Sequence, residues 1–315
     1  MGLRLPTEPV KGLTMHFGKK KHKWAIVTSA PKGEAGKQWG DYWFASDLAA
    51  ALVAEGSLAR VVSRAGANSP ARDEDDVVLV LRGLRRVVPS NTSATWLLWV
   101  ISHPELVEQG EADQYGRAFA ASNYWPTDSQ LGQFTPLLQA TNTDRFAPIA
   151  HPAREGVLFI GSTRSEFRPI VRDALAQNIP ISLYGVGWNE FVPESAISGE
   201  FLSNADLPAA YGNAAVVLND HHKEMAESGF LSNRLFDAVA AGARVVSDPA
   251  LGLKEIFGST VVEYTSPAEL AAIVRSPEKY FDETLVRDDR ERVRRENSFV
   301  QRARTLIEVV ADLRG

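Results

Sequence analysis

A chain of 315 residues, 44% apolar and 23% charged, has ordinary globular composition and the length of two domains of ~150 residues each. Its net charge of -5 argues against a surface built to neutralise a phosphate backbone, so no nucleic-acid partner is expected. The absence of cysteine excludes a disulfide scaffold, a thiolate-held zinc and a cysteine nucleophile, and it fits a reducing, cytoplasmic setting.

Met1 to Lys23 is polar and basic, without the apolar centre of a secretory signal. No run approaches the ~18 apolar residues of a spanning helix. Lys19, Lys20, Lys21, His22 and Lys23 form a basic run that suits either a weak peripheral contact with anionic lipid or a solvated lead-in to a strand. Trp24–Thr28 then reads as a strand, short and followed by Pro31 and Gly33. Asp41 to Glu55 sets Phe44, Leu48, Ala51 and Leu52 on one apolar helical face. Val61–Ser63, Val77–Leu81, Leu97–Ile101 and Ala118–Ala121 follow as strands. Runs that are apolar throughout suit strands covered on both faces by helices.

A join at Asn142–Glu155 carries Pro148 and Pro152. Beyond it, strands are expected at Val157–Ile160, Ile181–Tyr184, Ala215–Leu218, Val245–Ser247 and Val261–Glu263. Helices are expected between them at Phe167–Gln177, Leu207–Asn213, Asn233–Ala241 and Pro267–Val274. The tail, Asp288 to Arg314, reads as one long charged helix with Phe299, Leu306, Val309 and Val310 on its apolar face. The fold class is therefore α/β, with two Rossmann-like domains in tandem around a cleft. The division is 1–148, 149–295, and a helix at 296–315 that has the option of returning to the first domain.

The sharpest segment is Glu227–Asp248, ESGFLSNRLFDAVAAGARVVSD. Ser232 is placed to cap an apolar helix, and the turn before it would present free N–H groups at the positive end of the helix dipole, a site for a diphosphate. Arg234 stands in the first turn, where the dipole disfavours a cation unless it meets an anion. Asp237, one turn further, is placed to accept from two sugar hydroxyls. The plainer alternative is an ordinary capped helix with a solvated arginine.

The stretch SNRLFDAVAAGARVVSD resembles the donor-binding helix of GT-B glycosyltransferases of the group-1 kind, especially the spore-maturation-type branch. The resemblance implies that Asp237 binds the nucleotide ribose and that the turn with Ser232, Asn233 and Arg234 binds the diphosphate. The family usually has Glu at Asp237, and its larger retaining group has a further Glu where this chain has Gly229. GVLFIGSTRSEFRP is similar to the first strand and glycine loop of the family's second domain, which brings Gly161, Arg164 and Arg168 to the donor phosphates. LYGVGW, with Tyr184 and Gly185, looks like the nucleobase loop, and Tyr211 holds the usual aromatic position in DLPAAYGNAAVVLN. KQWGDYWFASDLAAAL resembles the first glycine loop and helix, with Gly40 and Asp41 toward the cleft and Trp43 where the family often has His.

His103 ends the strand in WVISHPE, at the carboxyl end that faces the crevice of an open α/β sheet. An imidazole at that place suits a proton acceptor. His103 and Asp41 are thus the two expected catalytic residues, with Gly40 and Trp43 on the acceptor side. There is no G-x-x-x-x-G-K-[ST], G-x-S-x-G or H-E-x-x-H, and neither domain opens with G-x-G-x-x-G. His221 and His222 are adjacent on a strand end and point apart, so no metal site is expected. The resemblance implies transfer of a sugar from a nucleotide diphosphate sugar, UDP first and GDP second, without a metal and with no cofactor beyond that co-substrate. The acceptor would be a glycan, a lipid-linked group or a small molecule. A nucleotide-sugar epimerase of the same fold and a catalytically inactive nucleotide-sugar-binding protein stay open as alternatives.

Overall fold

A computed structural model describes residues 21–67, 74–90, 93–126 and 128–315; Lys19 and Lys20 of the basic run lie outside them. In the first half, β1 (Lys23–Val27), β2 (Leu58–Val62), β3 (Val77–Arg82), β4 (Thr95–Val100), β5 (Arg117–Ala120) and β6 (Thr135–Pro136) form one sheet ordered β2-β1-β3-β4-β5-β6. Every neighbouring pair is parallel. All six residues of β3 are buried, as a strand covered on both faces requires. Helices α1 (Glu34–Lys37) and α2 (Gly40–Ala54) follow β1. Phe44, Leu48 and Leu52 of α2 pack with Trp24, Leu79 and Trp99 on one face of the sheet.

The second half contains β7 (Glu155–Ile160), α3 (Pro169–Ala176), β8 (Ile181–Tyr184), β9 (Ile197–Gly199), α4 (Leu207–Asn213) and β10 (Ala214–Asn219). It continues through α5 (Lys223–Glu227), α6 (Asn233–Ala240), β11 (Val245–Ser247), α7 (Leu253–Phe257), β12 (Val261–Glu263) and α8 (Pro267–Arg275). The sheet order is β12-β11-β10-β7-β8-β9, again all parallel. Counted within this half, that is 6-5-4-1-2-3, the doubly wound Rossmann order, whose crevice opens where β7 and β10 lie side by side.

The tail departs from the single helix expected over Asp288–Arg314. It forms two helices, α9 (Glu283–Glu296) and α10 (Phe299–Arg314). Ser298 breaks the run with an extended backbone, and its hydroxyl accepts from Gln301 N as the cap of α10. The Ser298 backbone also bridges to Thr141 in the crossing segment. Arg302 holds that junction, donating to the carbonyls of Leu138 at 2.7 Å and Gln139 at 3.1 Å and to Asn297 Oδ1 at 2.6 Å. Val286 and Val293 of α9 are buried in the second half, while Phe299, Ala303, Leu306 and Val310 of α10 complete the core of the first. Val309 is only partly buried there.

Candidate active site

The loops that leave the carboxyl ends of the two sheets enclose a cavity of about 770 Å3. The first domain contributes Gln38, Trp39, Gly40 and Trp43, from the start of α2 and the loop before it. The second contributes Gly161, Ser162 and Arg164 after β7, Tyr184 to Val186 after β8, and Glu200 to Leu202 after β9. Tyr211 of α4 and Arg234 of α6 close the wall.

Glycines let this wall form. A Cβ on Gly185 would lie 2.2 Å from the carbonyl oxygen of Gly161, so the loops after β7 and β8 pass backbone to backbone. Gly161 N donates to Tyr184 O at 2.8 Å, and Trp188 Nε1 donates to Gly161 O at 2.9 Å. A Cβ on Gly161 would also lie 2.8 Å from Arg234 Nη2, so the glycine leaves the guanidinium its room. Arg234 Nη1 donates to Asn219 Oδ1 at 3.1 Å, and its Cζ stands 5.4 Å from the Phe159 ring centroid. Arg164 has a left-handed backbone, φ 59°, a costly conformation for a non-glycine residue. Burial and the neighbouring Arg234 push the Arg164 guanidinium down to about 10. Neither arginine forms an ion pair among the described residues, and two such cations side by side favour an anion between them.

The other expected donor residues are placed differently. Arg168 does not line the cavity: its side chain is 1% exposed and forked onto Asp220, with Nε 2.8 Å from Oδ2, while Nη1 donates to Ser162 O at 2.9 Å. The direct phosphate contact expected of it is therefore corrected to a supporting role beneath the loop that carries Ser162 and Arg164. Ser232 stands at the N-cap of α6, but its hydroxyl makes no capping bond. The first-turn N–H groups are thus left without a side-chain acceptor. Asn233 Nδ2 donates to Asp237 Oδ2 at 3.0 Å, and Thr141 Oγ1 donates to Asp237 Oδ1 at 2.7 Å. Both Asp237 oxygens are thereby engaged, away from the cavity wall, and burial pushes the carboxyl up to about 7.

On the first domain, Gly40 and Trp43 line the cavity, and Trp43 Nε1 donates to Lys37 O at 2.8 Å. Burial raises the Asp41 carboxyl, and His103 opposes that rise, which brings these two groups into one electrostatic neighbourhood. His103 is not among the cavity-lining residues. Its Nδ1 lies 2.9 Å from Glu105 Oε1, and its ring centroid is 5.1 Å from that of His222, across the domain junction. Burial and the Arg164 charge hold the His222 imidazole down at about 4, so it is neutral at pH 7. His221 turns away, its Nδ1 2.7 Å from Asp248 Oδ1. Among the described residues, no group of three His, Asp or Glu side chains converges on a metal position.

Sequence reasoning missed Trp39, Val186, Glu200, Phe201 and Asn204 in the cavity, together with Asn219 behind Arg234. The usable signal was position after a strand end. It points to His103, while Gly161 and Gly185 come from the family resemblance; β9 (Ile-Ser-Gly) carries no apolar run, and Glu200 after it goes unmarked.

Residues 164–308, just under half of the chain, match the family model described as glycosyl transferase-like. No curated protein sequence matches the chain. Among solved structures it is similar to AviGT4, a glycosyltransferase involved in avilamycin A biosynthesis, with a TM-score of 0.65 and 17% identity over 93% of this chain and 98% of that one. It is also similar to sucrose-phosphate synthase from Thermosynechococcus elongatus, with a TM-score of 0.65 and 13% identity over 93% and 99% of the two chains. For the T4 phage enzyme BGT, solved in complex with UDP and Mn2+, the TM-score is 0.61 and the identity 11%, over 91% and 99%. At these identities the likeness defines the fold, which is GT-B. No helix among the described residues is long and apolar enough to cross a membrane.

Proposed function

We propose that this protein transfers a sugar from a nucleoside diphosphate sugar to an acceptor held in the interdomain cavity, as in the spore-maturation-type branch of the group-1 glycosyltransferases. The observation that carries the reading is the pair Arg164 and Arg234, two guanidiniums without ion-pair partners among the described residues, lining a cavity shared by both domains. Arg234 stands in the first turn of α6, whose uncapped N–H groups add to the positive field. Charge developing on the departing diphosphate meets donors already in place, a preorganised effect that makes a bridging cation unnecessary. Beyond the nucleotide-sugar co-substrate and the acceptor, no cofactor is then required. On the resemblance alone, UDP comes before GDP as the donor nucleotide.

The acceptor, a glycan, a lipid-linked group or a small molecule, would lie against Gly40 and Trp43. His103 is the proposed base: Glu105 holds Nδ1, which leaves Nε2 to accept the acceptor's proton. Asp41, raised by burial, is the competing base. A second reading, a nucleotide-sugar-binding protein without turnover, is favoured by the absence of a carboxylate at Gly229 and by the engagement of Asp237 with Thr141 and Asn233.

Calorimetric titration of UDP and GDP tests the site. Arg234→Ala should weaken binding by about 1.5–3 kcal/mol, the scale of a hydrogen bond to a charged group. Unchanged affinity in a folded variant removes Arg234 from the site.

A further inference from the structure

The chemistry of the cavity lining changes from one strand end to the next. The two arginines stand at the β7 end. In the sheet, β8 and β9 follow β7 in order, so the loop after β9 lies two strand spacings away, about 10 Å. That is comparable to the reach of a nucleoside from its own diphosphate. A nucleotide anchored on Arg164 and Arg234 would run past Tyr184 and Gly185 and bring its base to Glu200, Phe201 and Leu202. The Tyr184 ring lies against the backbone there, since a Cβ on Gly199 would approach it to 3.3 Å. Phe201, 53% exposed, offers a flat apolar face beside it.

Among the described residues that line the cavity, Glu200 is the one carboxylate. It is exposed, and among the described residues it has no hydrogen-bond or ion-pair partner. We propose that Glu200 reads the nucleobase of the donor and selects guanine. Guanine presents two adjacent donors, N1–H and the 2-amino group, which match the two oxygens of a carboxylate. Uracil presents a single N3–H flanked by the carbonyl oxygens O2 and O4, so the second carboxylate oxygen would face another acceptor. A site built to pair with a donor rejects the base that lacks it far more strongly than an apolar pocket rejects a change in size. This inference rests on the proposed nucleoside diphosphate site and reverses the order of nucleotides that the resemblance implies.

The test is titration of GDP, inosine diphosphate and UDP into the unaltered protein and into Glu200→Ala. Inosine diphosphate keeps N1–H but lacks the 2-amino group. The expected result is GDP binding roughly tenfold or more tighter than UDP, the scale of one bidentate base contact, with inosine diphosphate between them. In Glu200→Ala the GDP affinity should fall toward that of UDP, while UDP stays within about twofold of its original value. UDP binding as tightly as GDP, or a GDP preference that survives in Glu200→Ala, overturns the role of Glu200 and leaves the nucleotide site standing. Failure of all three nucleotides to bind the unaltered protein overturns the site itself, and Glu200's role with it.

Discussion

Asp237 shows how burial rewrites one carboxylate. Its ordinary pKa of 3.8 rises to about 7 because the group is removed from water, a shift that Thr141, Arg145 and Asn233 only partly offset. Between about pH 4 and 7 the folded protein then holds a proton that the unfolded chain has released. Stability must therefore fall as pH rises through that window and level off above it. Asp237→Asn should remove this slope, read as denaturant midpoints from pH 4 to 8; identical slopes in the two proteins would mean that Asp237 titrates normally. The sequence marked Asp237 from its place one turn into a helix. It could not show that Thr141, 96 positions away, supplies a partner. Arg164 and Arg168 were equally indistinct. Asp220, 52 positions from Arg168, takes that arginine out of the cavity and leaves Arg164 in it.

Elements were legible where burial is two-sided or periodic. The apolar runs at Val77 and Trp96 are of strand length and fit strands covered on both faces, and Phe44, Leu48 and Leu52 mark α2 by their spacing. The edge strands β6 and β9 are Thr-Pro and Ile-Ser-Gly, with no apolar run to mark them, whereas the equally short edge strand β12 is marked by Val-Val. The break between α9 and α10 falls in the uncharged stretch 297–301, where Ser298 before an apolar residue is a local cap signal; the pairing of Ser298 with Thr141 that adds to it is non-local. The division of labour between the two helices is testable. Leu306 is fully buried in the first domain's core, so Leu306→Ala should cost about 2–5 kcal/mol. Leu313, 38% exposed, should change stability by no more than ~0.5 kcal/mol when cut to Ala. Chemical denaturation checks both, and a wild-type midpoint for Leu306→Ala would separate α10 from that core.

At the scale of the molecule, the cavity exists because the two domains are held in register from several sides. Arg145, on the crossing segment, bonds Asp47 of α2 and Asn204 of the cavity wall, and lies 5.9 Å from the Trp43 ring centroid. Thr141 reaches Asp237, and α10 returns from the second domain to the first. Sequence alone could place strand ends toward a crevice, but not say which residues of the two crevices meet. The most direct measurement is nucleoside diphosphate released from a panel of UDP- and GDP-sugars in EDTA, by the wild-type protein and by His103→Ala. The account predicts release that survives chelation and falls ~10²–10⁴-fold in His103→Ala, with donor affinity nearly intact. Release from no nucleotide sugar, or release abolished by EDTA and restored by manganese or magnesium, would contradict it.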